Sequence, residues 1–285
     1  MQAHSRLTGG GVARAFLAFA IAVAIMIGLA FATHGRVSNQ IAEIIAAATI
    51  AAYYLAAFRW IEGQRAPELE QGSGAVEFGT GLVIGLVLFS AVMAALWAIG
   101  VYHFSGWGTL AGLGSGALFA LSAAVLEEII FRGYLFRLLS AALGTWIAVL
   151  LTSAFFGAAH AANPGATRFS SFAIAVEAGV ILAGAYAVTG RLWMPIGLHL
   201  GWNFAESTIW GMSVSGGLIT PSLTRGSLSG APLLTGGAFG PEASIVAVVF
   251  CFVVGVILLW RTVQLGRVQA PMWKWKSAAS ANASS

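Results

Sequence analysis

Residues Ser115–Leu139 read SGALFALSAAVLEEIIFRGYLFRLL. The stretch is apolar almost throughout and longer than the roughly 20 residues a helix needs to cross a bilayer. It nevertheless carries two adjacent carboxylates, Glu127 and Glu128, and a guanidinium, Arg132, ahead of a second, Arg137, near its end. A charge at bilayer depth is costly, so an ionisable residue there marks a functional site by default. Helical spacing sets the geometry. Glu128 and Arg132, four apart, share a face and can pair, whereas Glu127 lies about 100° round the helix and can point into a cavity. One carboxylate is then held ionised while its neighbour is free to handle protons. A structural ion pair at a helix end would need only one Glu.

The rest of the chain fits a membrane setting. Of 285 residues, 59% are hydrophobic and 8% charged, against about 25% charged in soluble domains. The expected fold class is therefore all-α, a polytopic integral membrane protein. All ten acidic residues are Glu; without Asp, a Ser-His-Asp triad and an aspartyl dyad are excluded. The single cysteine, Cys251, allows no internal disulfide and reads as a small core residue in an apolar run. The net charge of +4 does not point to nucleic acid, because the basic residues stand singly in loops and at the C-terminus, where they report topology.

Eight spans are expected, at about 13–33, 41–60, 78–101, 115–139, 145–163, 171–189, 194–212 and 244–264. They divide the chain into N-terminal helices (1–112), a core of helices 4–7 (113–212), a Gly- and Ser-rich non-cytoplasmic loop (213–243), and a last helix with a disordered basic tail (244–285). With eight spans both termini share a side. Ten Lys and Arg fall there, among them Arg59, Arg65, Arg137, Arg191 and Arg261; Arg36, Arg168 and Arg225 fall opposite. That asymmetry places both termini in the cytoplasm, and a bacterial inner membrane is the expected location. Trp273-Lys274-Trp275-Lys276 reads as an interfacial anchor. Ala30-Phe31-Ala32 has the form of a signal-peptidase site; the reading adopted here retains the first helix.

Two further patterns lie in apolar segments. Phe156 and His160 share a face by their spacing of four, and His199, Asn203 and Glu206 form one continuous stripe at i, i+4 and i+7. Such a stripe needs polar partners inside the bundle, and an interhelical hydrogen-bond seam would supply them without any chemistry. Counting 1.5 Å per residue from the cytoplasmic helix ends puts Glu127 roughly 18 Å deep, His160 roughly 22 Å, His199 roughly 8 Å and Asn203 roughly 14 Å, so the four can meet near mid-membrane. There is no His-Glu-x-x-His, Gly-x-Ser-x-Gly or phosphate loop. Glu177 is a further embedded carboxylate whose partner is open between a motif residue, Arg168 and Arg191.

Glu127-Glu128-x-x-x-Arg132, Phe156-x-x-x-His160 and His199-x-x-x-Asn203, in this order and all in transmembrane segments, resemble the CPBP family. It is also called the Abi or CAAX-protease-like family and includes the type II CAAX prenyl endopeptidases. Phe131-Arg132-Gly133 and the run Thr189–Ile196 are similar to that family too, and the resemblance covers roughly residues 115–210. It implies an intramembrane endopeptidase in which Glu127 and His160 activate the attacking water, directly or through a bound metal ion. Glu128 and Arg132 would orient that pair, and His199 and Asn203 would bind the developing oxyanion. A divalent metal such as zinc, held by Glu127, His160 and His199, is the implied cofactor. The residue chemistry agrees: a carboxylate can serve as general base, imidazole and carboxylate can ligate zinc, and amide and imidazole N–H groups suit an oxyanion. The expected partners are membrane lipid and a peptide or membrane-protein substrate. Two other classes use the same polar cluster: a non-proteolytic scaffold and an ion-coupled transporter, the latter drawing on Glu177 and Glu206.

Overall fold

The computed structural model describes residues 9–217 and 221–273. The helices are α1 (Gly9–Thr33), α2 (Asn39–Ala57), α3 (Gly74–Ala98), α4 (Leu113–Glu128), α5 (Arg137–Leu143), α6 (Thr145–Ala159), α7 (Arg168–Ile174), α8 (Ile181–Thr189), α9 (Trp193–Phe204), α10 (Pro232–Thr235) and α11 (Ile245–Gln264). Four π-helical stretches, Phe58–Glu62, Ile129–Phe136, Ala175–Val180 and Ala205–Ile209, run on directly from helices. Two of them join α4 to α5 and α7 to α8 into single rods, Leu113–Leu143 and Arg168–Thr189. Among the described residues seven helices are long and apolar enough to cross a membrane. The eighth expected span is α9 with its π-helical extension, Trp193–Ile209, which is slightly shorter. The all-α membrane architecture expected from composition is the one observed.

Local signals explain the helix boundaries. Ser38 caps α2 by accepting from Ile41 N, Thr167 and Ser170 form a capping box on α7, and Ser244 caps α11 by accepting from Ala247 N. Gly190, at φ 69°, ends α8 in the left-handed conformation. Pro195 falls in the first turn of α9, where its missing N–H costs nothing. The outward faces remain apolar: Phe16, Phe31, Val87, Leu150, Phe155 and Phe252 are exposed, as lipid contact requires. Exposed tryptophans form two belts, with Trp60, Trp146 and Trp260 toward the face of the termini and Trp97 and Trp107 toward the other.

The helix that carries His199 and Asn203 is fixed by four glycines. On α3, Gly81 and Gly85 face α9; a Cβ there would stand 2.2 Å from the carbonyl oxygens of Met194 and Leu198. On α9, Gly197 and Gly201 return the contact, with a Cβ 2.2 Å from Phe78 O and 2.3 Å from Leu82 O. Each pair is a Gly-x-x-x-Gly, and only hydrogen at Cα permits this backbone-to-backbone approach.

The 213–243 segment is more ordered than its composition suggests. It contains strand β2 (Thr224–Leu228), which pairs antiparallel with β1 (Tyr102–Trp107), and also α10. Arg225 donates to Trp107 O, and Gly108 N and Thr109 N donate to Leu223 O and Ser222 O. The first helix is an integral part of the bundle: Ala18 and Ala22 are fully buried, and Tyr53 Oη donates to Ala18 O. Of the expected interfacial anchor only Trp273 falls within the described residues; Lys274, Trp275, Lys276 and the tail lie outside them.

Candidate active site

The three motifs converge. Arg132, fully buried, donates from Nη1 to Glu128 Oε1 at 2.8 Å. Its Nη2 donates to the carbonyls of Ala178 and Gly179, both at 3.2 Å. These two carbonyls belong to the π-helical stretch Ala175–Val180, whose wider turn departs from the regular α ladder. Arg132 itself lies in the π-helical stretch Ile129–Phe136. Its Cζ sits 4.8 Å from the centroid of Phe156, whose ring also stands 4.8 Å from that of His160. The phenylalanine of the second motif is thus a spacer between a buried cation and an imidazole.

Hydrogen bonds fix both imidazoles. His160 Nδ1 lies 2.8 Å from Phe156 O. A carbonyl only accepts, so Nδ1 carries the proton and Nε2 a lone pair in the neutral ring. His199 Nδ1 lies 3.0 Å from Glu128 Oε1, the oxygen already paired with Arg132. That carboxylate accepts as well, so in the neutral ring Nε2 of His199 is again the lone-pair nitrogen. Both Nε2 atoms face Glu127 Oε2, at 3.9 Å from His160 and 4.0 Å from His199. Glu127 Oε2 is itself buried with no hydrogen-bond partner. Two lone pairs and an unsatisfied carboxylate oxygen thus surround one point, too far apart to touch and well spaced for a bridging molecule.

These groups line a cavity of about 810 Å³ together with Asn203, Trp202 and Glu177. The Asn203 carbonyl accepts from Ser207 Oγ at 2.7 Å, and its side-chain amide lines the cavity. Among the described residues, no three His, Cys, Asp or Glu side chains are arranged to hold a metal ion as they stand. The donor chemistry of Glu127, His160 and His199 nonetheless suits one: two imidazole lone pairs, one orphaned carboxylate oxygen, and Glu128 behind His199 as the second-shell carboxylate that metal-binding histidines favour.

The cavity wall includes groups not singled out by the motifs. Glu43 lines it from α2, where it is the sole charged residue; the rule that flags an embedded charge would have found it. Glu242 lines it from the loop before α11, and its Oε1 accepts from Ser215 N at 2.6 Å and Ser215 Oγ at 2.8 Å. Burial pushes the Glu242 carboxyl above its ordinary value, and the Ser215 hydrogen bonds pull it back down. No sequence signal marks Glu242, because its role depends on a loop folding back across the site. Trp202 Nε1 is buried without a partner. Glu177 is paired with neither arginine considered for it: it is buried beside Glu242 and the Cys251 thiol, while Arg191 pairs with Glu77 at 3.1 Å. Glu206 is fully buried against Glu242. On the face of the termini a separate cluster joins Arg137 to Glu62 at 2.5 Å and to Glu68 at 3.7 Å.

Fold and site together define a polytopic membrane protein with a polar site walled by apolar helices. Residues 109–205 match the family model described as type II CAAX prenyl endopeptidase Rce1-like, a stretch of roughly a third of the chain that holds all three motifs. The resemblance drawn from those motifs holds over this stretch, and at the family level it supports an intramembrane protease of the CAAX type. No curated protein and no solved structure matches the chain.

Proposed function

We propose that the chain hydrolyses peptide bonds within the membrane, using a water molecule held between Glu127, His160 and His199. The observation that carries this reading is the convergence of two imidazole Nε2 atoms on an unpartnered Glu127 Oε2, at 3.9 and 4.0 Å. A water placed there donates one proton to Glu127 and the other to the Nε2 lone pair of His160. Glu127 takes the first proton as the water oxygen attacks the scissile carbonyl carbon, then delivers it to the departing amine. The carbonyl oxygen becomes an oxyanion, which Asn203 meets with its amide N–H. His199, as imidazolium with Nδ1–H held by Glu128, donates to the same oxyanion from Nε2. Arg132 fixes Glu128, and Glu128 fixes the ring of His199.

A divalent cation such as zinc, where one is bound, would be held by Glu127, His160 and His199 and would lower the pKa of its water toward about 7. Two placements belong to the same reading: both termini lie in the cytoplasm, and the protein resides in a cell membrane. Among the described residues, Arg14, Arg59, Arg65, Arg137, Arg191, Arg261 and Arg267 lie toward the termini, against Arg36, Arg168 and Arg225 on the other face. The ion-coupled alternative draws on buried Glu177, Glu206 and Glu242, while the family match over the motif residues favours hydrolysis.

The deciding experiment is a peptide-cleavage assay on the purified chain in detergent, native against Glu127→Gln. The native chain should cleave and the variant should not. Equal cleavage by both would remove Glu127 from the chemistry, and no cleavage by either across a broad peptide library would return the scaffold reading.

A further inference from the structure

The cavity is open toward one face of the membrane. Apart from residues deeper in the helical spans, its wall is built by 38–40, 163–164, 214–217 and Glu242. All of these lie at the face opposite the termini: Ser38 with the first turn of α2, the loop between α6 and α7, and the long segment between α9 and α11. The connections on the other face, at 63–73, 144, 190–192 and 265–273, contribute nothing to the wall. That other face is closed instead by side chains: Arg137 with Glu62 and Glu68, Arg191 with Glu77, and Arg191 with the Glu70 carbonyl.

The segment at the mouth is built to stay in place. Ser215 is the sole non-glycine residue with positive φ among those described, at 50°, a conformation that costs free energy unless its surroundings hold it. Glu242 holds both its N–H and its hydroxyl, and Asn163 Nδ2 donates to its carbonyl at 3.1 Å. The next two N–H groups are also used, by Phe239 O and Val214 O. Charge adds a preference. The wall carries Glu43, Glu127, Glu177 and Glu242, and among the described residues that line it there is no Lys or Arg. With four carboxyl groups, two imidazoles and no Lys or Arg in its wall, the cleft offers no permanently charged cation to receive an acidic chain and so favours neutral or basic chain.

We propose that the substrate is a neutral-to-basic polypeptide stretch that reaches Glu127 from the face opposite the termini. This rests on the peptidase reading above and adds the side of entry and the charge of the occupant. It commits the protein to substrates presented away from the compartment that holds its own termini.

Two measurements on the full-length protein test it. In sealed proteoliposomes sorted by accessibility of a C-terminal tag, membrane-impermeant maleimide should label Gln40→Cys and Glu43→Cys only where the tag is enclosed, and Arg65→Cys only where it is exposed. Labelling of Glu43→Cys from the tagged side would overturn the side of entry, whether or not any peptide is cut. With impermeant quenched peptides, cleavage should occur only in vesicles with the tag enclosed, and a Lys-flanked peptide should be cut at least about tenfold more efficiently than its Glu-flanked counterpart. Equal or reversed efficiency would overturn the charge preference. Absence of Glu127-dependent cleavage even in detergent would defeat the peptidase reading, and the maleimide result would still judge the side of entry.

Discussion

His199 donates its Nδ1–H to Glu128 Oε1 at 3.0 Å, and that hydrogen bond decides which nitrogen faces Glu127. The two adjacent glutamates therefore do different work. Glu128 is turned back into the protein, where it accepts from Arg132 and sets the ring of His199. Glu127 is turned into the cavity with an oxygen that nothing in the protein satisfies.

If Glu127 and His160 hold one water between them, their losses should not add. Glu127→Gln and His160→Ala should each lower turnover by at least about a hundredfold. The double variant should be little worse than the worse single, because groups acting as one unit are grossly non-additive. Multiplicative losses in steady-state kinetics would show that the two act at separate steps.

Asn203 discriminates oxyanion binding from helix packing. Asn203→Ala should depress kcat by roughly 10²–10³ with KM little changed. A polar seam would instead lose about 0.6–2 kcal/mol of stability and keep its turnover. Melting and kinetics measured on one preparation separate the two. A destabilised variant with full turnover removes Asn203 from the reaction.

The buried pair Glu128–Arg132 should behave as a unit in stability. Arg132→Gln or Glu128→Gln alone leaves a charge without its partner and should cost about 3–5 kcal/mol. Replacing both by apolar residues of similar volume should cost less than the sum, since neither charge then remains unpaired. Thermal or chemical unfolding in detergent reads this directly, and simple additivity would show that the pair is not coupled.

Glu68 gives a pH test away from the reaction. It lies in the short turn Pro67–Leu69, outside the spans, and burial pushes its carboxyl from 4.5 to about 6, against the lowering pull of Arg137. A raised carboxyl favours the protonated form in the folded state. Its stabilising contribution is therefore full below pH 4.5 and is lost as pH rises through about 6. Ionisation should cost about 2 kcal/mol above that window. Glu68→Gln should flatten the melting profile between pH 4.5 and 6.5 and raise the melting point at neutral pH. A variant that melts lower at every pH would mean that the ionised carboxylate serves Arg137 more than burial harms it.

Much of this was legible in the sequence because lipid imposes a simple rule. A span must satisfy its own backbone, so long apolar runs mark helices and the rare embedded charges mark the site. The spacing of Glu128 and Arg132 correctly foretold their ion pair, and each of the other two motifs does share a helix face. What escaped depends on contacts distant in sequence. The pairing of Tyr102–Trp107 with Thr224–Leu228 joins stretches over a hundred residues apart, and neither alternates strongly enough to announce a strand. Glu242 reads as an ordinary loop carboxylate until the 213–217 segment folds across it. Two of the π-helical stretches, Ile129–Phe136 and Ala175–Val180, hold Arg132 and its two carbonyl partners, and a periodicity of 3.6 does not reveal them.

The four glycines between α3 and α9 have a mechanical consequence. With carbonyls of one helix lying almost against the Cα atoms of the other, neither helix can turn or slide without carrying its neighbour. His199 and Asn203 therefore ride on a fixed jaw made of two helices. The Ser215 segment is pinned as well, so any widening of the entrance for a polypeptide falls to the start of α2. His199 and Asn203 then keep their spacing whatever the width of that entrance.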